Sequence, residues 1–562
     1  MPITPIDIND LTSIGVVQDE PGYQLAPEAW TIGNNMRVLD NGMRRLFGWS
    51  PIFNSQVIGG DYAAENNIDQ YVDETGVNSY VTEVLAPGLP DKPYYLMYVS
   101  SVAQSWWIWA SLTDMYVWDG TQNTNISKSL GAYHAGDSKT LNGTIFGGTP
   151  IVNTGNDPPQ MWFGVYSASL KMADLTAWPS GPGGPYQAKV IRAFGPYLVA
   201  LGITIPGATV SSLPHRVLWS TEGAPGAVPP SWNVADPTVD AGQNDLPDAD
   251  SGIVLDGMGL QGNFYIYKEA AVWRMRFIGG RFIFTFEPFL ESVGLLCTRA
   301  VCLTGSGQNH VFVSQDDMLT HNGNTAEALL DNRFKRYLFN QIDTTNFSTS
   351  FMMNNPLYDE CWFCYPAIGA SEPNRALIWN WKHNRFTEAD IDFQCSAVGQ
   401  TSIVSSGSWS QATIPWSSDP AAWAVSQRRR TVIGNPTTGK IHLLDSGSLR
   451  DGVLFTGTLQ RSNLAVIGKK RNGEWIVDWQ RKKQINRVWP KALIGPVTVR
   501  IGYQDTIGGM IRWSNPQTFN PITQRFVDGV LGSGSSVAVE FSAANDFRMD
   551  GYKIDLVPLG MF

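Results

Sequence analysis

The chain has 562 residues, 43% of them hydrophobic, 12% aromatic and only 16% charged. Its 21 Trp, 25 Phe and 19 Tyr exclude a wholly disordered chain, and 55 Gly with 34 Pro point to a turn-rich globular fold. A net charge of −10 argues against gripping nucleic acid by phosphate neutralisation, and five Cys, an odd number, argue against a disulfide framework.

At the N-terminus, Met1 to Asp7 offers no basic region leading into an apolar stretch, so no secretory signal is expected. The most apolar run, Tyr197 to Ile205, carries Gly202 and is far shorter than the roughly 18 residues a membrane helix needs. A protein that is soluble when made is expected.

Strand signals dominate the chain. Tyr94–Ser100, Trp106–Trp109, Lys189–Phe194, Arg281–Phe286 and His310–Ser314 are short, aromatic or β-branched, and bounded by Gly, Pro, Asn or Asp. Hairpin turns are expected at Asp40-Asn-Gly42, Asp119-Gly120, Gly279-Gly280, Asn322-Gly323 and Asn472-Gly473. Helical periodicity is confined to Ala326–Ile342, where Leu330, Phe334, Leu338 and Ile342 recur on one face. The expected class is all-β with one short helix. The recurring cadence of strand, polar turn and strand (Met115–Gly120, Asp317–Gly323, Ala376–Phe386, Gly439–Gly447) suits β-propeller blades, and a sandwich array gives a similar cadence. In the last hundred residues, Val497–Ile501 and Val537–Phe541 alternate as half-buried strands do, which suggests a terminal β-sandwich.

Charge is segregated. Val217 to Tyr267 holds no Lys or Arg but seven acids: Glu222, Asp236, Asp240, Asp245, Asp248, Asp250 and Asp256. Because unpaired carboxylates are costly to bury, this proline-rich stretch is expected to line a channel or an inter-subunit seam. Arg461 to Arg500 carries ten basic residues against two acids, with Lys469, Lys470, Arg471, Arg481, Lys482 and Lys483 as its two dense groups. It reads as a docking surface for acidic protein, as a solvated strand face, or as a DNA contact.

Motifs for chemistry fail on inspection. Gly434-Asn-Pro-Thr-Thr-Gly-Lys440 has phosphate-loop spacing, yet Ile441 stands where a magnesium-binding hydroxyl is needed and no helix pattern follows. Cys361-Trp-Phe-Cys364 lies in a strand, where residues three apart face opposite ways, and no second pair follows at zinc-site distance. No nucleophile elbow of G-x-S-x-G form occurs, the six His are scattered, and the Asp245–Asp250 cluster lacks an EF-hand's closing Glu. No enzyme activity, cofactor or metal is expected.

Two groups of residues resemble a known family. They are Gln24-Leu-Ala-Pro-Glu-Ala-Trp-Thr-Ile-Gly-Asn-Asn-Met-Arg37 with Gly42–Arg45 and Gly48-Trp49, and Phe146-Gly-Gly-Thr-Pro-Ile-Val-Asn-Thr-Gly-Asn-Asp-Pro-Pro-Gln-Met-Trp162. Arg216–Gly223 with Pro230–Trp232, and Phe264–Glu269 with Arg274–Gly280, fit the same pattern. The chain resembles tail nozzle proteins, or tail tubular proteins B, of short-tailed bacteriophages. The resemblance implies a β-propeller beside a sandwich-like platform and a homohexameric ring beneath the portal and adaptor. It also implies a gated channel that passes double-stranded DNA without sequence-specific binding, contacts to tail fibres or spikes, and residence in the virion tail after synthesis in the host cytoplasm. No catalytic residue transfers. The organisation so implied is a docking or platform segment at 1–60, an acidic polar insertion at 61–92, a propeller at 93–445 with long loops at 217–260 and 401–430, and a platform at 446–562. The alternative is a receptor-binding or glycan-processing propeller that stacks sugars on Trp106, Trp107, Trp109, Trp409, Trp416 or Trp423.

Overall fold

The computed structural model describes residues 4–40, 42–52, 71–72, 78–79, 91–100, 105–119, 123–129, 131–137, 139–165, 171–224, 226–246, 250–280, 282–331, 333–401, 429–472 and 474–561. Among these residues, seven antiparallel four-stranded units follow one another along the chain. Blade 1 is Tyr95–Ser100, Ser105–Ala110, Met115–Trp118 and Asn123–Asn125. Blades 2 to 5 run from Asn142–Phe146 to Ala173–Asp174, Gln187–Phe194 to Gly242–Asp245, Val254–Leu260 to Phe284–Glu291, and Val301–Leu303 to Ala326–Ala328. Blade 6 runs from Phe351–Asn355 to Arg385–Asp390. Blade 7 takes Cys395–Gln400, Arg429–Asn435 and Lys440–Leu444, and its outer strand, Trp49–Pro51, comes from the N-terminal part of the chain.

The ring closes because every seam between successive blades has its own apolar filling. In Trp106-Trp-Ile-Trp109, Trp106 and Ile108 pack toward Val152 and Trp162 of blade 2, whereas Trp107 and Trp109 pack toward Val432 and Ile441 of blade 7. A strand buried on both faces needs no alternation, since successive side chains enter different seams. The two blade 6 cysteines behave the same way: Cys361 joins the seam toward blade 5 and Cys364 the seam toward blade 7. The structure is thus an all-β propeller of seven blades.

Blade 6 does not end at its fourth strand. Arg385–Asp390 pairs in parallel with Ile32–Asn34, which pairs with Gly457–Leu464, followed by Ser536–Ala543 and Val497–Gln504. One ten-stranded sheet therefore runs from the propeller into a platform. An opposing sheet, built on Arg481–Ile494 and Arg548–Met561 with Thr4–Ile8, Met36–Val38 and Met43–Arg45, covers it. Ile6, Ile8, Ile485, Val488, Ile554 and Leu556 of that sheet meet Leu459, Val499, Ile501, Val539 and Phe541 of the other in a sandwich core. The first 52 residues thus serve both bodies, while most of 61–92 lies outside the described residues.

The helix is shorter than its periodicity predicts. Ala326–Ala328 is drawn into blade 5 as its outer strand, where it pairs with Met318–His321, and only Lys335–Gln341 is helical. Leu330, Phe334, Leu338 and Ile342 are nonetheless all buried against blades 5 and 6. The period located the apolar face, and strand pairing decided the backbone.

Candidate assembly surfaces

The Gly434–Lys440 stretch is a hairpin turn between two blade 7 strands; the Asn435 side chain accepts from the Thr437 and Thr438 amides at 2.9 and 3.1 Å. Lys440 is engaged by Asp451 at 2.9 Å. A side-chain hydrogen bond with Cys302, together with burial, holds the Cys361 thiol well above its ordinary range. Among the described residues no three His, Cys, Asp or Glu side chains gather as a metal site would require. Trp106, Trp107 and Trp109 are buried in blade seams and present no stacking face to a sugar; Trp409, Trp416 and Trp423 lie outside the described residues.

The basic segment divides into two kinds of cation. Arg461, buried between the platform and the Gly22–Ala26 loop, donates to the carbonyls of Gly22 at 2.9 Å, Leu25 at 3.0 Å and Ala26 at 3.3 Å, and to that of Ser462. Burial lowers its pKa to about 10. Lys483, expected on a docking surface, is buried instead: its ammonium donates to the carbonyls of Arg481 at 2.9 Å, Ser535 at 2.7 Å and Asp478. In the alternation of its strand, position 483 faces inward, so Lys483 ties strand ends together and is unavailable to a partner.

The rest of that segment is on the surface. Lys470 bridges Glu474 at 2.9 Å, Arg481 bridges Asp478 at 3.4 Å, and Lys482 approaches Asp505 at 3.9 Å. Lys469 lies 4.4 Å from the Trp475 ring centroid, and Arg471 is exposed. Beside Lys482 stand Ile507, Met510 and Leu531, the latter two 92% and 94% exposed. Of these cations, Lys482 shares one end of the sandwich with the 505–512 turn and the 531–534 segment, because Tyr503 pairs with Arg512 and Lys483 bridges Gly534, while Lys469, Lys470 and Arg471 lie on the Val466–Lys469/Trp475–Val477 hairpin. This tip is both basic and apolar.

The acidic stretch lies chiefly on blades 3 and 4. Asp240, Asp245 and Asp250 are exposed and Asp236 is half-buried, whereas Asp248 lies outside the described residues. The carboxylates are less solitary than the sequence implies. Arg216, just before the stretch, forms a two-pronged bond to Asp245 at 2.7 Å for each prong and holds that carboxyl below its usual range. Asp236 accepts from the Thr238 amide and hydroxyl within its own turn, which lowers its pKa. Asp256 departs from the expectation of no buried carboxylate here: it is buried and paired with Arg192 at 2.8 Å.

The strongest polar feature had no sequence signal. Arg37 is fully enclosed; its guanidinium meets Glu360 of blade 6 at 2.6 and 3.0 Å and Asp445, just after blade 7, at 2.8 and 3.0 Å. The Tyr358 ring lies 3.6 Å away and Asn355 donates to both carboxylates. Residues more than 320 positions apart converge there, so only the fold brings them together. This cluster fastens the platform's first strands to the last two blades.

No protein-family model and no curated protein matches the chain. Among solved structures, it is similar to AztD of Citrobacter koseri, with 11% identity and a TM-score of 0.33 over 53% of this chain and 73% of that one. It is also similar to the β-propeller domain of Cps50 (Swd1) of Myceliophteria thermophila, at 8% identity and a TM-score of 0.36 over 63% and 96% of the two chains. A third is the computationally designed Ika8 protein, at 8% identity and a TM-score of 0.32 over 64% and 97%.

Proposed function

We propose that this chain is a structural tail protein of a short-tailed bacteriophage. In this reading it is a nozzle-type subunit that assembles head to tail into a homohexameric ring below the portal and adaptor. The ring extends and gates the conduit for double-stranded DNA and supports tail fibres or spikes. The role is mechanical, no catalytic step is assigned, and its place is the virion tail.

The observation that carries this reading is the disposition of charge on one continuous body. The basic platform is continuous with blade 6, while exposed acids Glu222, Asp240 and Asp245 belong to blade 3, three positions away around a ring of seven. Each surface has local partners, Arg216 for Asp245 and Glu474, Asp478 and Asp505 for Lys470, Arg481 and Lys482, yet both stay open to solvent and complement each other in sign between neighbouring copies. Such heterologous contacts close into a ring when the rotation permits. The net charge of −10 further suits a conduit that must pass phosphate without holding it. No observation favours the glycan-binding alternative, since the described candidate tryptophans are buried.

The test is negative-stain microscopy and light scattering of the purified chain, alone and with its adaptor, over a salt series. Rings are expected at low salt. Reversing Lys469, Lys470, Arg471, Arg481 and Lys482 together is expected to abolish them, because several contacts are lost and repulsion is added. Normal assembly of the reversed variant would remove the charge-paired interface, and a persistently monomeric wild type with adaptor present would remove the ring.

A further inference from the structure

On the face of the propeller where the inner strands begin, residues at or just before the inner strands of blades 2 to 6 enclose a cavity of about 530 Å³. That volume falls in the range of small-molecule sites, about 300–1,000 Å³. Its wall carries two side chains of opposite charge, Lys189 on the inner strand of blade 3 and Glu269 in the turn after the second strand of blade 4. Ile203, Leu255 and Phe347 give the same cavity an apolar wall.

The backbone makes room for both charged side chains. The Lys189 stem passes over Gly202, where a Cβ would stand only 3.1 Å from the Lys189 Cβ, and Glu269 lies over Gly252, where a Cβ would collide with its carboxylate. Both glycines are left-handed, with φ of 61° and 76°. The Ile253 amide donates to Glu269 Oε2 at 3.3 Å and fixes that carboxylate against the wall. Strand pairing slips between Leu201 and Ile203 in blade 3, and again between Val254 and Asp256 in blade 4. Such irregularities gather beside functional sites, where they re-aim side chains. Here two of them fall on the wall of one cavity.

Lys189 and Glu269 do not neutralise each other. Both are half-buried, and neither joins an ion pair among the described residues. The neighbouring charges are satisfied: Lys139, also in the wall, by Asp137 at 3.2 Å and Ser348 at 3.1 Å, and Asp256, next to Leu255, by Arg192 at 2.8 Å. Burial lowers the pKa of Lys189, and the pull of Glu269 and Asp256 does not restore it. Charges withdrawn from water without a partner are costly. One charge of each sign, held apart on the wall of a single cavity, calls for a ligand that carries both.

We propose that this cavity binds a small zwitterion, an amino acid with an apolar side chain, its carboxylate on Lys189 and its ammonium on Glu269. Charge-assisted hydrogen bonds hold the two ends, and the Ile203, Leu255 and Phe347 wall receives the side chain. The site is independent of ring assembly, whose charged surfaces are exposed elsewhere, so either reading can fail without the other.

Calorimetric titration of the full chain with L-leucine and L-phenylalanine tests it, alongside N-acetyl-L-leucine, which lacks the ammonium, and L-leucinamide, which lacks the carboxylate. One saturable site is expected for the amino acids. Each blocked form should bind about ten- to a hundredfold more weakly, the worth of hydrogen bonds to a charged group. Glu269→Gln should weaken leucine and erase its advantage over the acetylated form while keeping that over the amide, and Lys189→Met should do the reverse. A purely structural role would lower the melting temperature without splitting the two analogues in this way. No saturable binding of either amino acid, blocked forms that bind as tightly as leucine, or folded variants that keep the wild-type preferences would each overturn the proposal. If neither variant folds, the wild-type comparison of leucine with its two blocked forms decides alone.

Discussion

Strands in propeller blades 1 to 5 pair only with the strands next to them along the chain, whereas in the platform Thr4–Ile8 pairs with residues 552–556 and Ile32–Asn34 with residues 458–460. The two regions have similar apolar cores but very different loop-closure costs. Hairpins repay their entropy locally, while the sandwich requires the two ends of the chain to meet. Blade 7 stands between these cases, three of its strands being successive and the fourth imported from residues 49–51. The ring and the platform are therefore closed by the same N-terminal stretch, and the platform is expected to form last and open first.

The largest effect should come from cutting the fastening between the two regions. Arg37→Leu leaves Glu360 and Asp445 buried together with no cation, and breaking a buried pair in this way costs about 3–5 kcal/mol. Urea unfolding should show this loss, with platform amides losing exchange protection before those of blades 2 to 4. An unchanged midpoint would mean that the triad does not couple the two bodies.

A second cut tests the platform alone. Ile6 and Ile8 are 0% and 2% exposed and pack in the sandwich core, so each replacement by Ala should cost about 2–5 kcal/mol. Because Thr4–Ile8 pairs only with the last strand, the damage should stay in the platform. Exchange protection in blade 3 falling in parallel would show that propeller and platform unfold as one unit.

This division also explains what could be read from sequence. Trp106–Trp109 and Tyr197–Thr204 are strands because they are short apolar runs between turns, and that information is local. The Asp40-Asn-Gly42 hairpin is equally local: the Leu39 amide donates to the Gly42 carbonyl at 2.8 Å. Ala326–Ala328 was not legible as a strand, because its pairing partner outweighed a helical pattern. Lys483 and Arg461 resembled surface cations in composition, and only the placement of backbone carbonyls around them makes them interior ties.

A third test falls within the propeller, on the seam between blades 4 and 5. Tyr267 Oη sits 2.8 Å from His310 Nδ1 and 2.7 Å from His321 Nε2, while His310 Nε2 reaches the Gly259 carbonyl at 3.1 Å and the Gly323 amide donates to His321 Nδ1 at 3.3 Å. In this arrangement both rings are neutral: His321 gives its proton to Tyr267, which gives its own to His310. Burial lowers the pKa of His310 to about 4 and of His321 to about 3, with His310 adding to the latter shift. Near neutral pH neither state of the chain binds these protons. As the pH falls below about 6.5, the unfolded chain takes them up and the folded chain refuses them, so stability is lost down to the folded values. Between pH 7 and 5 the loss should be about 2 kcal/mol per histidine. A His310→Gln/His321→Gln variant should show a shallower pH dependence in urea unfolding, and equal slopes would discard the neutral pair.

The smallest effect concerns the exposed basic tip and separates folding from assembly. Lys482 stands 3.9 Å from Asp505, with side-chain exposures of 38% and 46%. A pair so open to solvent contributes about 0.2–1 kcal/mol, so Lys482→Ala should leave the melting temperature of the monomer nearly unchanged. Lys483→Met, one residue away, should lower it clearly, because the Arg481, Ser535 and Asp478 carbonyls lose their common donor inside the platform. For assembly the order should reverse. If the tip meets acidic surface on a neighbour, Lys482→Ala shifts ring dissociation to lower salt, since a screened contact has been removed. Lys483→Met, once folded, should dissociate at the wild-type salt concentration. Equal salt midpoints for Lys482→Ala and wild type would reduce this cation to a solvated one, and the exposed apolar group of Ile507, Met510 and Leu531 would then have to hold the tip to its neighbour without it.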